Sequence, residues 1–288
     1  MNNSPDFIII GAMKCATSTL HEQLALQSGI FMTVLKEPNF FSDDEQYAKG
    51  MAWYLSHFAS APKDALCGES STHYTKLPTY PKTIERLKQH LPDVKLIYVM
   101  RHPIDRLVSQ YIHEWSQGVI SVDINQAIAL HPELVEYSLY SKQLAPYFAT
   151  FGKERVLPIF FERLIKYPQG ELKRVCKFIN YGSQPVWNTD LDAQNISSKR
   201  MRKVAWRDFL VEAPVLREIR RWFIPKSFRT WVRSLWRMKK KPELDPKQVE
   251  NLKTIFDEDL ARLNSWLGIE LSCDNFKAKV QAKSIDLV

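Results

Sequence analysis

The stretch DFIIIGAMKCATSTLHEQLAL, Asp6 to Leu26, constrains the fold more than any other part of the chain. Its apolar, β-branched run FIII has the composition of a strand buried on both faces. The residues after it, with Leu20 and Leu24 on one side and polar residues on the other, have helical spacing. The turn between them holds Gly11, Lys14, Thr17, Ser18 and Thr19. A strand that enters a helix through such a turn presents free backbone N–H groups and the positive end of the helix dipole at one point, which is an anion site.

The same pattern recurs. KLIYVM (Lys95 to Met100) is a second buried strand, and RHPIDRLVSQYIHEWSQG follows it. Pro103 suits a first helical turn, Ile104, Leu107, Val108, Tyr111, Ile112 and Trp115 share a face, and Gly118 ends the helix. RVLPIFF (Arg155 to Phe161) is a third strand, with Pro158 arguing against a central position. ELKRVCKFI after it has helical spacing. A last helix, VENLKTIFDEDLARLNSWLG, carries Leu252, Ile255, Phe256, Leu260 and Leu263 on one side and closes at Gly268. Strands alternating with helices imply an α/β fold with a central parallel sheet covered by helices. The 288 residues show no internal repeat or convincing linker, so one domain spanning 1–288 is expected.

Several classes are set aside by composition. No window approaches the roughly 20 apolar residues of a membrane span, and the polar start MNNSPD lacks the pattern of a signal peptide. A cytoplasmic location is expected. Cys15, Cys67, Cys176 and Cys273 form no C-x-x-C pair, which favours reduced thiols over a zinc site or a disulfide framework. The net charge of +8 is local: between Lys199 and Lys241 there are 15 Lys or Arg against three acids, and the remainder is mildly acidic.

The first turn is not the usual phosphate loop, G-x-x-x-x-G-K-[ST]. Lys14 comes three residues after Gly11, and no second glycine precedes it. The KLIYVM strand ends in Arg101 and His102 where a nucleoside triphosphatase would want a metal-binding acid. Basic residues at two strand-to-helix junctions point to an anionic ligand handled by cations and backbone, with no metal.

Taken together, these motifs resemble the sulfotransferases that use 3′-phosphoadenosine 5′-phosphosulfate (PAPS). GAMKCATSTL is similar to their 5′-phosphosulfate loop, and RHPIDRLVSQY to their 3′-phosphate motif, an arginine after a strand with a serine eight residues on. KEPNFF, GESSTHY, FFERLIKYP and FDEDLARLNSWLG extend the resemblance over nearly the whole chain. The fold implied is the sulfotransferase form of the P-loop nucleotide-hydrolase architecture.

By this resemblance Lys14 contacts the sulfate-bearing phosphate and stabilises the leaving group, with Ala16, Thr17, Ser18 and Thr19 contributing backbone or hydroxyl donors. Arg101 and Ser109 bind the 3′-phosphate; Arg106 is either a further contact or a charge on the exposed helix face. Two residues compete to be the base that takes the acceptor's proton. Glu37 of KEPNFF matches a catalytic glutamate of the glycan-modifying branch, although Asn39 replaces that branch's histidine. His73 of GESSTHY matches, by region, the histidine of the cytosolic small-molecule branch. Glu69 is expected to shape the pocket floor, and Ser70 stands where relatives have a lysine.

NISSKRMRK resembles the late loop that closes over the nucleotide, which makes Lys199 and Arg200 candidate contacts. The basic, Trp-rich segment 199–241 is read as an amphipathic helical element within the domain; its rival reading is a nucleic-acid or membrane-binding surface. The expected activity is sulfuryl transfer from PAPS to a hydroxyl or nitrogen of a small-molecule acceptor, with a glycan or lipid acceptor as the alternative. Acceptor contacts are expected from Phe40 to Ser60 and from Gly118 to Tyr140. No nucleic-acid partner is expected, and the oligomeric state is not legible.

Overall fold

The computed structural model describes residues 4–190 and 242–282 of the chain. Five strands, β1 (Phe7–Gly11), β2 (Ile30–Met32), β3 (Leu66–Ser70), β4 (Lys95–Met100) and β5 (Val156–Phe160), form one sheet in the order β2-β3-β1-β4-β5. Every pairing is parallel. The longer helices are α1 (Thr17–Ala25), α2 (Thr83–His90), α3 (Pro103–Gln117), α4 (Tyr140–Phe151), α5 (Pro168–Phe178) and α6 (Pro246–Leu267). They cover the sheet, as a parallel sheet requires.

All five residues of β1 are buried, and so are all five of β5. Pro158, which lacks an N–H, sits in β5 at the sheet edge, where a missing donor interrupts no ladder. Gly68 in β3 is required by packing: a Cβ there would lie 2.4 Å from the Phe7 ring. β2, of three residues, and β3, with the sequence LCGES, carry little of the β-branched signature that marks β1 and β4, and the sequence does not announce them.

The connections leaving β1 run first toward β2 and β3, and the chain then crosses to β4 and β5 on the other side. The strand order therefore reverses between β1 and β4. In open α/β sheets a ligand crevice opens at such a reversal, beyond the carboxyl ends of the strands.

Arg106 corrects an expectation. It is fully buried in α3, with Nη2 donating to Gln110 Oε1 and to the Leu134 carbonyl, both at 2.8 Å, and Nε donating to Ser138 Oγ. It fastens α3 to the 134–138 segment and is neither a nucleotide contact nor a surface charge. The segment 199–241, with Lys199 and Arg200, lies outside the described residues. None of the helices described is long and apolar enough to cross a membrane.

Candidate functional site

The loop between β1 and α1 begins at Gly11, where the backbone leaves the sheet so close to its neighbours that a Cβ would lie 2.0 Å from Thr75 Oγ1. Lys14 and Ala16 adopt left-handed backbone conformations, φ 71° and 62°. This curls the loop so that α1 starts at Thr17 with no side-chain cap and no acid in its first turn. The first-turn N–H groups thus keep their positive potential for a ligand. The Cys15 thiol faces inward, fully buried, and burial pushes it up to about 12, so it stays protonated and inert.

The second junction, after β4, is tied to the first. Arg101 Nη1 donates to the Lys14 carbonyl at 3.3 Å, and its guanidinium stacks 4.5 Å from the Phe161 ring centroid. Its backbone is clamped by Tyr140, whose hydroxyl donates to the Arg101 carbonyl at 2.6 Å and accepts from its N–H at 3.2 Å. Pro103 occupies the first turn of α3, and Ser109, six residues on, is buried two turns along.

These residues line a cavity of about 1010 Å³. Its walls include Lys14, Ala16, Thr17, Ser18, Thr19, Arg101 and Ser109, with Phe161 and Trp187 as aromatic surfaces. Glu37, Thr72, His73, Lys76, His113 and Glu114 line it as well. The volume is at the upper end of the range of roughly 300–1,000 Å³ for ligand pockets, which leaves room for two small ligands side by side. The catalytic and donor-binding candidates within the described part all line this cavity; Glu69, expected at its floor, does not, and Lys199 and Arg200 lie outside the described residues.

Glu37 and His73 share the end of the cavity beyond β3. Glu37 sits in a left-handed bend, φ 58°, its N–H donating to the Ser70 carbonyl at 2.9 Å and its Oε1 accepting from Thr72 Oγ1 at 3.3 Å. His73 lies in the short 3₁₀ turn Thr72–Thr75, stacked on Tyr80 with centroids 4.8 Å apart. Burial, reinforced by the nearby Lys76 charge, brings its pKa down to about 4, so the ring is neutral at pH 7.

Glu69 lies one layer below. It is fully buried, and accepts from Tyr74 Oη at 2.9 Å, Tyr54 Oη at 3.2 Å and Ser71 Oγ at 2.8 Å. Ser71 Oγ in turn accepts from the Asn39 N–H at 3.1 Å. The carboxyl therefore holds the bend that carries Glu37 without itself facing the cavity. Burial raises its pKa to about 7.

The expected acceptor stretches are corrected. Phe40, Phe41, Tyr54 and Phe58 are an aromatic core cluster, Phe40 stacking on Tyr54 at 4.9 Å, and neither 40–60 nor 118–140 lines the cavity. The lining comes instead from Thr72, His73 and Lys76 and from His113 and Glu114 of α3. Lys76, His113, Glu114 and Trp187 were not legible in the sequence. Trp187 is delivered by two glutamines of the α1 region. Gln23 exchanges hydrogen bonds with the Asn188 backbone at 2.6 and 2.9 Å, and Gln27 with that of Val186 at 3.0 and 2.9 Å.

A family model described as a sulfotransferase domain matches residues 4–264. The chain is similar to the heparan sulfate glucosamine 3-O-sulfotransferase 3B1 of Mus musculus, 32% identical over 184 residues, 61% of this chain and 46% of that protein. It is also similar to heparan sulfate glucosamine 3-O-sulfotransferase 6 of Homo sapiens, 30% identical over 186 residues, 61% of this chain and 52% of that protein. The match thus spans about half the length of these relatives. Among solved structures, a sulfotransferase from Alicyclobacillus acidocaldarius superposes with a TM-score of 0.67 at 22% identity, covering 93% of this chain and 98% of that one.

Proposed function

Because the chain belongs to the sulfotransferase domain family, we propose that it transfers a sulfuryl group from PAPS to a hydroxyl of a saccharide or other polyhydroxylated acceptor. The single observation that carries the donor half is the joining of the two strand-to-helix junctions: the Arg101 guanidinium bonds the Lys14 carbonyl beside an uncapped helix start. One phosphate of the nucleotide is held by the first turn of α1 and Lys14, the other by Arg101 and Ser109. The aromatic faces of Phe161 and Trp187 offer an apolar surface for a nucleobase.

PAPS supplies the activated sulfuryl group. Lys14 and the α1 N–H groups stabilise the negative charge that builds on the departing 5′-phosphate as the S–O bond breaks. Glu37 takes the proton of the attacking hydroxyl, so the acceptor leaves as a sulfate ester and 3′-phosphoadenosine 5′-phosphate (PAP) remains. The acceptor reading moves from a small metabolite toward a saccharide, which the names of the similar heparan sulfate enzymes support. We propose one domain for the whole chain.

The test is release of PAP from PAPS in the presence of a saccharide library, with product identified by mass. Lys14→Ala is expected to lower the rate by about a hundredfold or more with little change in melting temperature. Absence of PAPS turnover with every acceptor, together with no PAP binding, would overturn the reading.

A further inference from the structure

Lys76 is a cation of the cavity that the donor chemistry leaves unused. It follows the Thr72–Thr75 turn, which is fastened to β1 by Thr75 Oγ1 donating to the Ile10 carbonyl at 2.7 Å. Its Nζ lies 5.7 Å from the Tyr137 ring centroid, and the Tyr137 hydroxyl is itself fixed 2.6 Å from Thr79 Oγ1. Among the described residues no carboxylate pairs with that Nζ within 4.0 Å. Yet Glu37 and Glu114 are near enough for their charges to favour its protonated form.

Glu114 stands on the same cavity wall, projecting from α3. Burial works against both charges, lowering the pKa of Lys76 and raising that of Glu114. Two opposite charges on flexible side chains would gain by closing on each other in a partly dehydrated site. Among the described residues the two line the cavity without pairing within 4.0 Å, so the ammonium keeps its demand for an anion and the carboxyl its demand for hydrogen-bond donors.

We infer that Lys76 is the residue that reads the acceptor, holding an acidic group, carboxylate or sulfate, on a polyhydroxylated molecule whose hydroxyls face Glu114 and Glu37. This rests on the transfer reaction proposed above and names the acceptor class of the same site. Lys76 acts on affinity and placement; the proton is still taken by Glu37.

The experiment is calorimetric binding of three matched probes to the full chain, with and without PAP: methyl β-D-glucoside, methyl β-D-glucuronide and methyl β-D-glucoside 6-sulfate. The wild-type chain is expected to bind one or both acidic probes about tenfold or more tightly than the neutral one, the strength of a charge-assisted hydrogen bond. Whichever acidic probe wins tells carboxylate from sulfate. Lys76→Met is expected to bring the three probes within about twofold of one another, Lys76→Arg to retain the preference, and both to bind PAP as the wild type does.

Equal affinity of the wild type for all three probes, no binding of any, or an undiminished preference in Lys76→Met would each overturn the inference. Loss of PAP binding by the wild type alone would instead remove the donor reading, and the sugar comparison without PAP would still decide for Lys76. If Lys76→Met fails to fold, the wild-type discrimination and Lys76→Arg carry the test.

Discussion

The Lys36 side chain donates a hydrogen bond from Nζ to the hydroxyl of Ser18, bridging the segment after β2 and the first turn of α1. Its ammonium also stands 3.8 Å from Glu37 Oε1. Ser70, at the position where the resemblance leads one to expect a lysine, instead places its hydroxyl 2.8 Å from His21 Nδ1. A cation thus reaches the donor loop from a different segment of chain. Lys36→Met is expected to lower PAPS turnover about tenfold or more, and Lys36→Arg to restore part of it. The side chain is partly exposed, so the melting temperature should move little; unchanged turnover would refute a role for this charge.

Glu37 and His73 predict different signatures. Glu37→Gln should reduce turnover at saturating PAPS by about a hundredfold and leave PAP affinity intact. His73→Asn should cost only a few-fold, and because the ring is already neutral above about pH 4, the rate profile between pH 6 and 8 should keep its shape. A large loss in His73→Asn with a normal Glu37→Gln would transfer the base role to His73.

Glu69 predicts a pH-dependent stability of defined sign. Its carboxyl ionises near pH 7 in the folded chain, against 4.5 ordinarily. Between these values the folded state holds a proton that the unfolded state releases, so stability falls as pH rises through this window and levels off above about 7. The full span amounts to roughly 3 kcal/mol at 1.36 kcal/mol per pH unit. Urea midpoints measured from pH 4.5 to 8 should show a decline in the wild type that Glu69→Gln flattens; parallel curves for the two proteins would rule this out.

Arg106 and Ser109, three residues apart on α3, should separate structure from binding. Arg106→Met leaves Gln110 Oε1, Ser138 Oγ and the Leu134 carbonyl without their donor, at a cost of about 1–3 kcal/mol per unsatisfied acceptor in chemical denaturation. Ser109→Ala should leave stability within about 1 kcal/mol and weaken PAP binding about tenfold. Denaturation and PAP titration of the two variants check both statements, and a reversal of the pattern would contradict the assignment.

How far the sequence could be read follows from where each signal resides. β1, β4, α3 and α6 announce themselves because their apolar residues are local and periodic, and the Gly11 turn because a close backbone approach demands glycine. β2 has only three residues and β3 lacks a β-branched run, and their pairing depends on distant partners, so nothing local marks them. Arg106 misled for a related reason. A charged residue on a helix reads as solvated unless its acceptors are known, and those near Leu134 and Ser138 arrive from beyond the helix.

The sequence by itself determined the strands β1, β4 and β5 with the helices that follow them, the strand-to-helix turn at Lys14 and the second basic junction at Arg101. Each depends on residues adjacent in the chain and on backbone geometry that those residues impose. Tertiary structure alone decided that Arg101 bonds the Lys14 carbonyl, that Lys36 reaches Ser18, and that Lys76 and Glu114 line one cavity. Those relations join segments brought together by the crossover at β1, and burial, not composition, sets how strongly their charges act on one another.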